Sequence, residues 1–88
     1  VILQAGDQRI MGPRASLLIH EASFGAVGSM GNVEDTVEFA KSLQNRILDI
    51  FADRSTLSKQ QIKNRWKRKD WWLTATESLK LGFVDEVR

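Results

Sequence analysis

From Val33 onward the apolar residues Val33, Val37, Ala40, Leu43, Ile47 and Phe51 recur every three or four positions, the spacing that places them on one face of an α-helix. The pattern predicts one amphipathic helix over about residues 33–53. Asn32 is a good N-cap for it, Glu34 and Asp35 fall in a first turn where the helix dipole favours negative charge, and Arg54 lies at the far end. In a chain of 88 residues so long a helix leaves room only for short elements, which must pack against part of it. Leu48 and Ile50 widen the apolar stripe, so the helix is expected to touch more than its own core.

The remaining elements are short. Val1 to Ala5 reads as the last turn of a helix that starts upstream, with Gly6-Asp7 as its cap and turn. Arg9-Ile10-Met11 is a strand candidate stopped by Gly12-Pro13. Ser16 to His20 is apolar without alternation, as expected of a strand buried on both faces in a parallel sheet. Phe24 to Gly31 carries Gly25, Gly28 and Gly31 and reads as loop or irregular extended chain. Ser58 with Gln61 has capping-box spacing and opens a short helix through about Trp66; Thr74 with Glu77 opens another to Leu81, stopped by Gly82. Phe83 to Val87 reads as a final strand. The order strand, long helix, short helix, helix, strand gives an α/β fold.

Composition excludes several classes. At 42% hydrophobic and 27% charged residues the chain is an ordinary globular one. It has no Cys, hence no disulfide framework, thiolate metal site or thiol nucleophile. No apolar run approaches the ~20 residues of a membrane span, and no signal-peptide pattern opens the chain, so a soluble, cytoplasmic protein is expected. A net charge of +2 argues for nucleic acid only where it is clustered. The chain starts without Met inside an apolar element, and the expectation is a C-terminal piece of a longer protein, residues 1–88 forming part of a single domain.

His20, the one histidine, closes the Leu17-Leu18-Ile19 run. Ligands of open α/β sheets bind beyond the carboxyl ends of the strands, so this titratable group stands where chemistry is expected. Alone, a histidine there is more often a packed or capping residue. The same holds for Asp70, an acid ahead of Trp71-Trp72-Leu73-Thr74-Ala75. Together they are two of the three members of a nucleophilic triad, in which a carboxylate orients an imidazole that takes a proton from a hydroxyl.

Ala5-Gly6-Asp7, Ala15 through His20, Gly25 and Gly28, the long helix, Ser58-Lys59-Gln60-Gln61-Ile62, and Asp70 through Ser78 with Leu81 through Val87 occur in an order that resembles the C-terminal half of Clp-type serine peptidases, the ClpP family. The likeness extends to the ClpP-like proteases of phages and prophages. It implies a ClpP/crotonase-like ββα-spiral fold with one long handle helix. It implies that His20 is the catalytic histidine and Asp70 the triad acid, while the nucleophilic serine and the oxyanion-hole amides lie upstream of Val1. It further implies a substrate strand at Gly25 and Gly28, a handle through which heptameric rings stack, a polypeptide substrate and an ATPase unfoldase as partner. Two features depart from the family pattern: Glu21-Ala22 follows the histidine, and the stretch before Asp70, usually rich in Glu and Asp, is basic from Lys63 to Lys69.

Ser29 in Gly28-Ser29-Met30-Gly31 is a rival nucleophile within the chain. It lacks the first glycine of a G-x-S-x-G elbow and has no strand of its own before it, so it reads as a turn serine. Lys63, Arg65, Lys67, Arg68 and Lys69 surround Trp66 and precede Trp71-Trp72, a mix that single-stranded nucleic acid can use. A solvated face, a subunit contact or simple placement of Asp70 is the preferred reading, and nucleic acid is not expected. The glycines match neither a P-loop nor a dinucleotide fingerprint, and no residue cluster supplies three zinc ligands, so neither cofactor nor metal is expected. The resulting expectation is a serine endopeptidase whose activity needs residues upstream of Val1, these 88 residues alone being inactive. A crotonase-type acyl-CoA enzyme and a non-catalytic ring subunit or interaction fragment are the alternatives.

Overall fold

The computed structural model describes every residue except Ala22, Phe24 and Arg68. The start of the glycine loop at Phe24, the second member of the Glu21-Ala22 pair and the Arg68 step of the basic run therefore lie outside the described residues. The chain passes through a 3-10 turn (Ile2–Ala5), strands β1 (Ile10–Met11) and β2 (Ser16–Ile19), helices α1 (Met30–Arg54) and α2 (Lys59–Trp66), strand β3 (Trp71–Thr74), helix α3 (Ala75–Lys80) and strand β4 (Glu86–Val87). This is a mixed helix-and-strand architecture, in line with the α/β expectation.

The long helix forms where its periodicity predicts, but it begins earlier. Ser29 is its N-cap, accepting from the Asn32 amide at 3.3 Å, so Asn32 is a first-turn residue rather than the cap. Glu34 and Asp35 consequently fall one turn further in. Gly28, with φ at +141°, turns the chain into that cap, a conformation an L-residue rarely adopts. The two capping boxes form as spaced: Ser58 with Gln61 opens α2 and Thr74 with Glu77 opens α3.

Other expectations are corrected. Residues 2–5 form a single 3-10 turn, and Gly6 follows it in an extended conformation, φ −71°, not the left-handed one of a helix cap. Of the final strand only Glu86–Val87 pairs, in parallel with Ile10–Met11. The segment Trp71–Thr74, for which the sequence predicts no strand, is one. It pairs antiparallel with β2, so β2 is not buried on both faces of a parallel sheet. Leu17 and Ile19 face the core with Trp71 and Leu73, while Leu18 lies opposite Trp72 on the outer side, where Trp72 is 63% exposed.

The core sits at one end of α1. Leu48 and Phe51 from α1, Ile62 and Trp66 from α2, Ile19, Leu73 and Phe83 form one buried cluster. Phe51 meets both Trp66 and Phe83 edge-on, at centroid distances of 6.5 and 6.1 Å, the arrangement ring quadrupoles favour. The outer turns of α1 lack such cover: Met30, Phe39 and Leu43 are exposed.

A polar network ties the chain's two ends to α1. Arg9, 3% exposed, donates from Nη2 to Oδ1 and from Nε to Oδ2 of Asp85 (2.8 and 3.1 Å), and from Nη1 to Gln4 Oε1 at 2.7 Å. Gln4 in turn donates to the Phe83 carbonyl at 2.9 Å. Arg54, the last residue of α1, reaches Asp85 at 3.3 Å and the carbonyls of Gln4, Gly6 and Asp7. Burying a guanidinium is costly unless its donors are matched, and the carboxylate and amide oxygens here match them.

Candidate active site

The β2–β3 ladder decides where the two singled-out residues stand. Its register pairs Ser16 with Thr74, Leu17 with Leu73, Leu18 with Trp72 and Ile19 with Trp71. Antiparallel partners advance in opposite directions, so the next pair in this register is His20 with Asp70. Residues fifty positions apart in sequence are thus carried to the same open end of one pair of strands. The ladder is held in register by its inner face, because a slip of one residue would expose Ile19 and Leu73.

His20, Glu21, Ser23, Lys69 and Asp70 line one cleft of about 410 Å³. His20 and Asp70 are both exposed. The His20 Nδ1 lies 2.8 Å from the Glu21 carbonyl oxygen. A carbonyl can only accept, so Nδ1 carries the hydrogen and the neutral ring presents Nε2 with its lone pair free. That is the tautomer a general base requires. Among the described residues no hydrogen bond joins His20 to Asp70; the donor that would serve the carboxylate is engaged by the backbone of Glu21.

Ser29 does not share this cleft. Its hydroxyl caps α1 by accepting from the Asn32 amide. Among the described residues Gly25 and Gly28 belong to no paired strand, and a Cβ at Gly25 would meet nothing within 4 Å. Sequence reasoning missed Ser23 as a lining residue; a lone serine between non-periodic neighbours carries no signal of its own. In the sequence Glu21 stands out only as a charge that departs from the family pattern, and Lys69 only as part of the basic run after Trp66.

Elsewhere, the two lowered carboxyls have structural causes. The Arg9 side chain, and then its backbone amide, hold the Asp85 carboxyl well below the usual carboxylate range. The Thr74 amide and hydroxyl lower Glu77 within its capping box. Among the described residues no cluster of three or more His, Asp or Glu could hold a metal ion, and no helix is long and apolar enough to cross a membrane.

In this mixed helix-and-strand core, His20, just past Ile19 of β2, and Asp70, just before Trp71 of β3, line a shared cleft. The Clp protease family profile matches residues 1–88, and the chain belongs to that family. Among curated relatives, it is 32% identical over 90 residues to "ATP-dependent Clp protease proteolytic subunit 2" of Tropheryma whipplei (strain Twist), covering 100% of this chain and 49% of that protein. It is 32% identical over 91 residues to the "ATP-dependent Clp protease proteolytic subunit" of Bacteroides fragilis (strain ATCC 25285), covering 99% and 42%. With the protein of the same name from Streptococcus sanguinis (strain SK36) it shares 37% identity over 86 residues, covering 94% and 43%. The chain therefore spans less than half the length of each of these relatives.

Proposed function

We propose that this chain carries the base and acid of a serine endopeptidase, His20 and Asp70, and that the nucleophile is supplied from residues preceding Val1 in the complete protein. One observation carries the reading: the β2–β3 register sets His20 opposite Asp70 in a single cleft. Family membership supports peptide hydrolysis over the acyl-CoA alternative.

In this reading a serine hydroxyl attacks the substrate carbonyl while His20 Nε2 takes its proton, which later passes to the leaving amine. Asp70 holds the imidazolium through Nδ1–H. That step requires the ring to exchange its bond to the Glu21 carbonyl for one to the Asp70 carboxylate. Once the imidazolium develops, the bond to the carboxylate is charge-assisted, which favours the exchange at that stage. An extended substrate lies along the segment bearing Gly25 and Gly28, where exposed backbone is free to pair with it. The relatives' names, proteolytic subunits of an ATP-dependent protease, support an ATPase partner, and a ββα-spiral fold with α1 as a handle and assembly into heptameric rings are what the family resemblance implies.

The test uses the full natural chain. A fluorophosphonate probe should label one serine outside residues 1–88, and His20→Ala should reduce labelling and peptide cleavage at least ~10³-fold, as should Asp70→Asn. Undiminished labelling in either variant overturns the assignment.

A further inference from the structure

Continued one step past His20 and Asp70, the β2–β3 register makes Glu21 and Lys69 the next pair of positions. Both line the same cleft. An acid and a base on opposite strands can pair across a ladder, yet among the described residues neither forms an ion pair. Two unlike charges, one from each strand end, are therefore open to a ligand beside the histidine and the aspartate.

The surroundings of the two charges differ. Lys69 continues a basic line: Lys67 caps the end of α2, and Lys63 lies four positions earlier on the same helix face, where it lines a groove of about 440 Å³ with Lys41, Gln44, Asn45 and Leu48. Lys63, Lys67 and Lys69 are all exposed, and among the described residues none is ion-paired. Glu21 stands alone by contrast, since between Arg14 and Glu34 it is the one Asp, Glu, Lys or Arg in the sequence. The basic line does not suit stacked bases. Trp66 in its midst is 1% exposed, and Arg65 lies over Trp71 at 5.2 Å from the ring centroid, so two of the three rings that single-stranded nucleic acid could stack on are covered. Carboxylates of a polypeptide need only the charge.

Resting on the peptidase reading above, we propose that Lys69 is a specificity-determining residue: with Lys67 and Lys63 it holds an acidic segment of the substrate polypeptide on one side of the scissile bond, and Glu21 turns such a segment away on the other. The charge of Asp70 is opposed by the imidazolium in that mechanism, which leaves the selection to the outer pair. The preference does not come with the family resemblance, which leads one to expect acidic residues where Lys63 to Lys69 stand.

Internally quenched peptides, identical but for two Glu or two Lys placed before or after one fixed apolar residue, test it on the full natural chain. In one of the two placements kcat/KM for the Glu peptide should exceed that for its Lys twin about tenfold at about 0.05 M salt, chiefly through KM, and approach it at about 1 M. Lys69→Glu should bring that ratio to about one or below, Lys63→Glu/Lys67→Glu should lower it about threefold, and Glu21→Gln should admit the Glu pair in both placements. Each ratio is taken within one variant, so a general loss of activity cancels. Fluorescence anisotropy of the same peptides on His20→Ala reads the charge preference as binding, without cleavage. Circular dichroism checks folding; should Lys69→Glu unfold, the double lysine variant and the salt response decide. The proposal is overturned by a wild-type ratio near one in both placements, by a ratio unmoved in folded Lys69→Glu, by equal acceptance of the Glu pair in both placements by wild type, or by a single-stranded oligonucleotide that binds more tightly than the acidic peptide. Undiminished serine labelling in His20→Ala with charge-selective binding intact would instead remove the triad assignment and leave the acidic-peptide site standing.

Discussion

Asp85 is the residue on which the termini, β1 and the end of α1 converge, and its charge is what holds them. Its folded carboxyl is depressed by Arg9, so it contributes stability that is fully present above the ordinary carboxylate value of 3.8 and is lost as pH falls below it. Wild type should therefore lose stability on acidification more steeply than Asp85→Asn, with the two curves separated at neutral pH and converging below about pH 4. Urea titrations across that range check this; parallel curves would remove the network from the acid response. His20 and Asp70 show how much of a site one residue reveals. Each was visible as a titratable group at the end of an apolar or aromatic run, but their pairing depends on strand register. That register was hidden because Leu17 and Leu18 are both apolar, and no alternation marks which faces the core. The Glu21 carbonyl as partner of Nδ1 has no sequence signal, since every residue carries one.

At the scale of elements, local chemistry was legible where side chain and backbone are neighbours. The Ser58–Gln61 and Thr74–Glu77 boxes each involve four consecutive residues, and both form as spaced. Two good caps three residues apart, Ser29 and Asn32, were not distinguishable by type, and Gly28's positive φ favours the earlier one. Strand β3 carries no clear signal, because Thr74 marks a helix start and Trp71 and Trp72, good strand residues, form too short a run before it. The stop after α3 has a further role. Gly82, φ +84°, packs where a Cβ would come within 3.1–3.2 Å of the backbone of Ser55, Arg54 and Thr56, just where the Thr56 amide bonds to the Leu81 carbonyl at 2.9 Å. Gly82→Ala should cost about 1–3 kcal/mol from left-handed strain alone, with more from the contact, and chemical denaturation should show it as a lower midpoint. An unchanged midpoint would mean that α1 and α3 are free to part at this crossing.

For the whole molecule, the core occupies only one end of the long helix, which the periodic stripe could not show, because the stripe runs on through Val33 and Val37 whether or not anything covers them. Amide exchange in dilute, high-salt solution should accordingly be graded along α1, slow around Leu48 and Phe51 and faster before Leu43; uniform protection would require cover that the chain does not supply. The folded chain measures 50 × 21 × 21 Å. A 25-residue helix is ~37 Å long, too long to lie across the short dimensions, so α1 must run close to the long axis. Its N–H bonds, nearly parallel to the helix axis, then point along the axis that reorients only by end-over-end rotation. For the single chain, nuclear spin relaxation of α1 amides reports the slowest component of its tumbling, and a spherical diffusion model would misread that slowness as added mass.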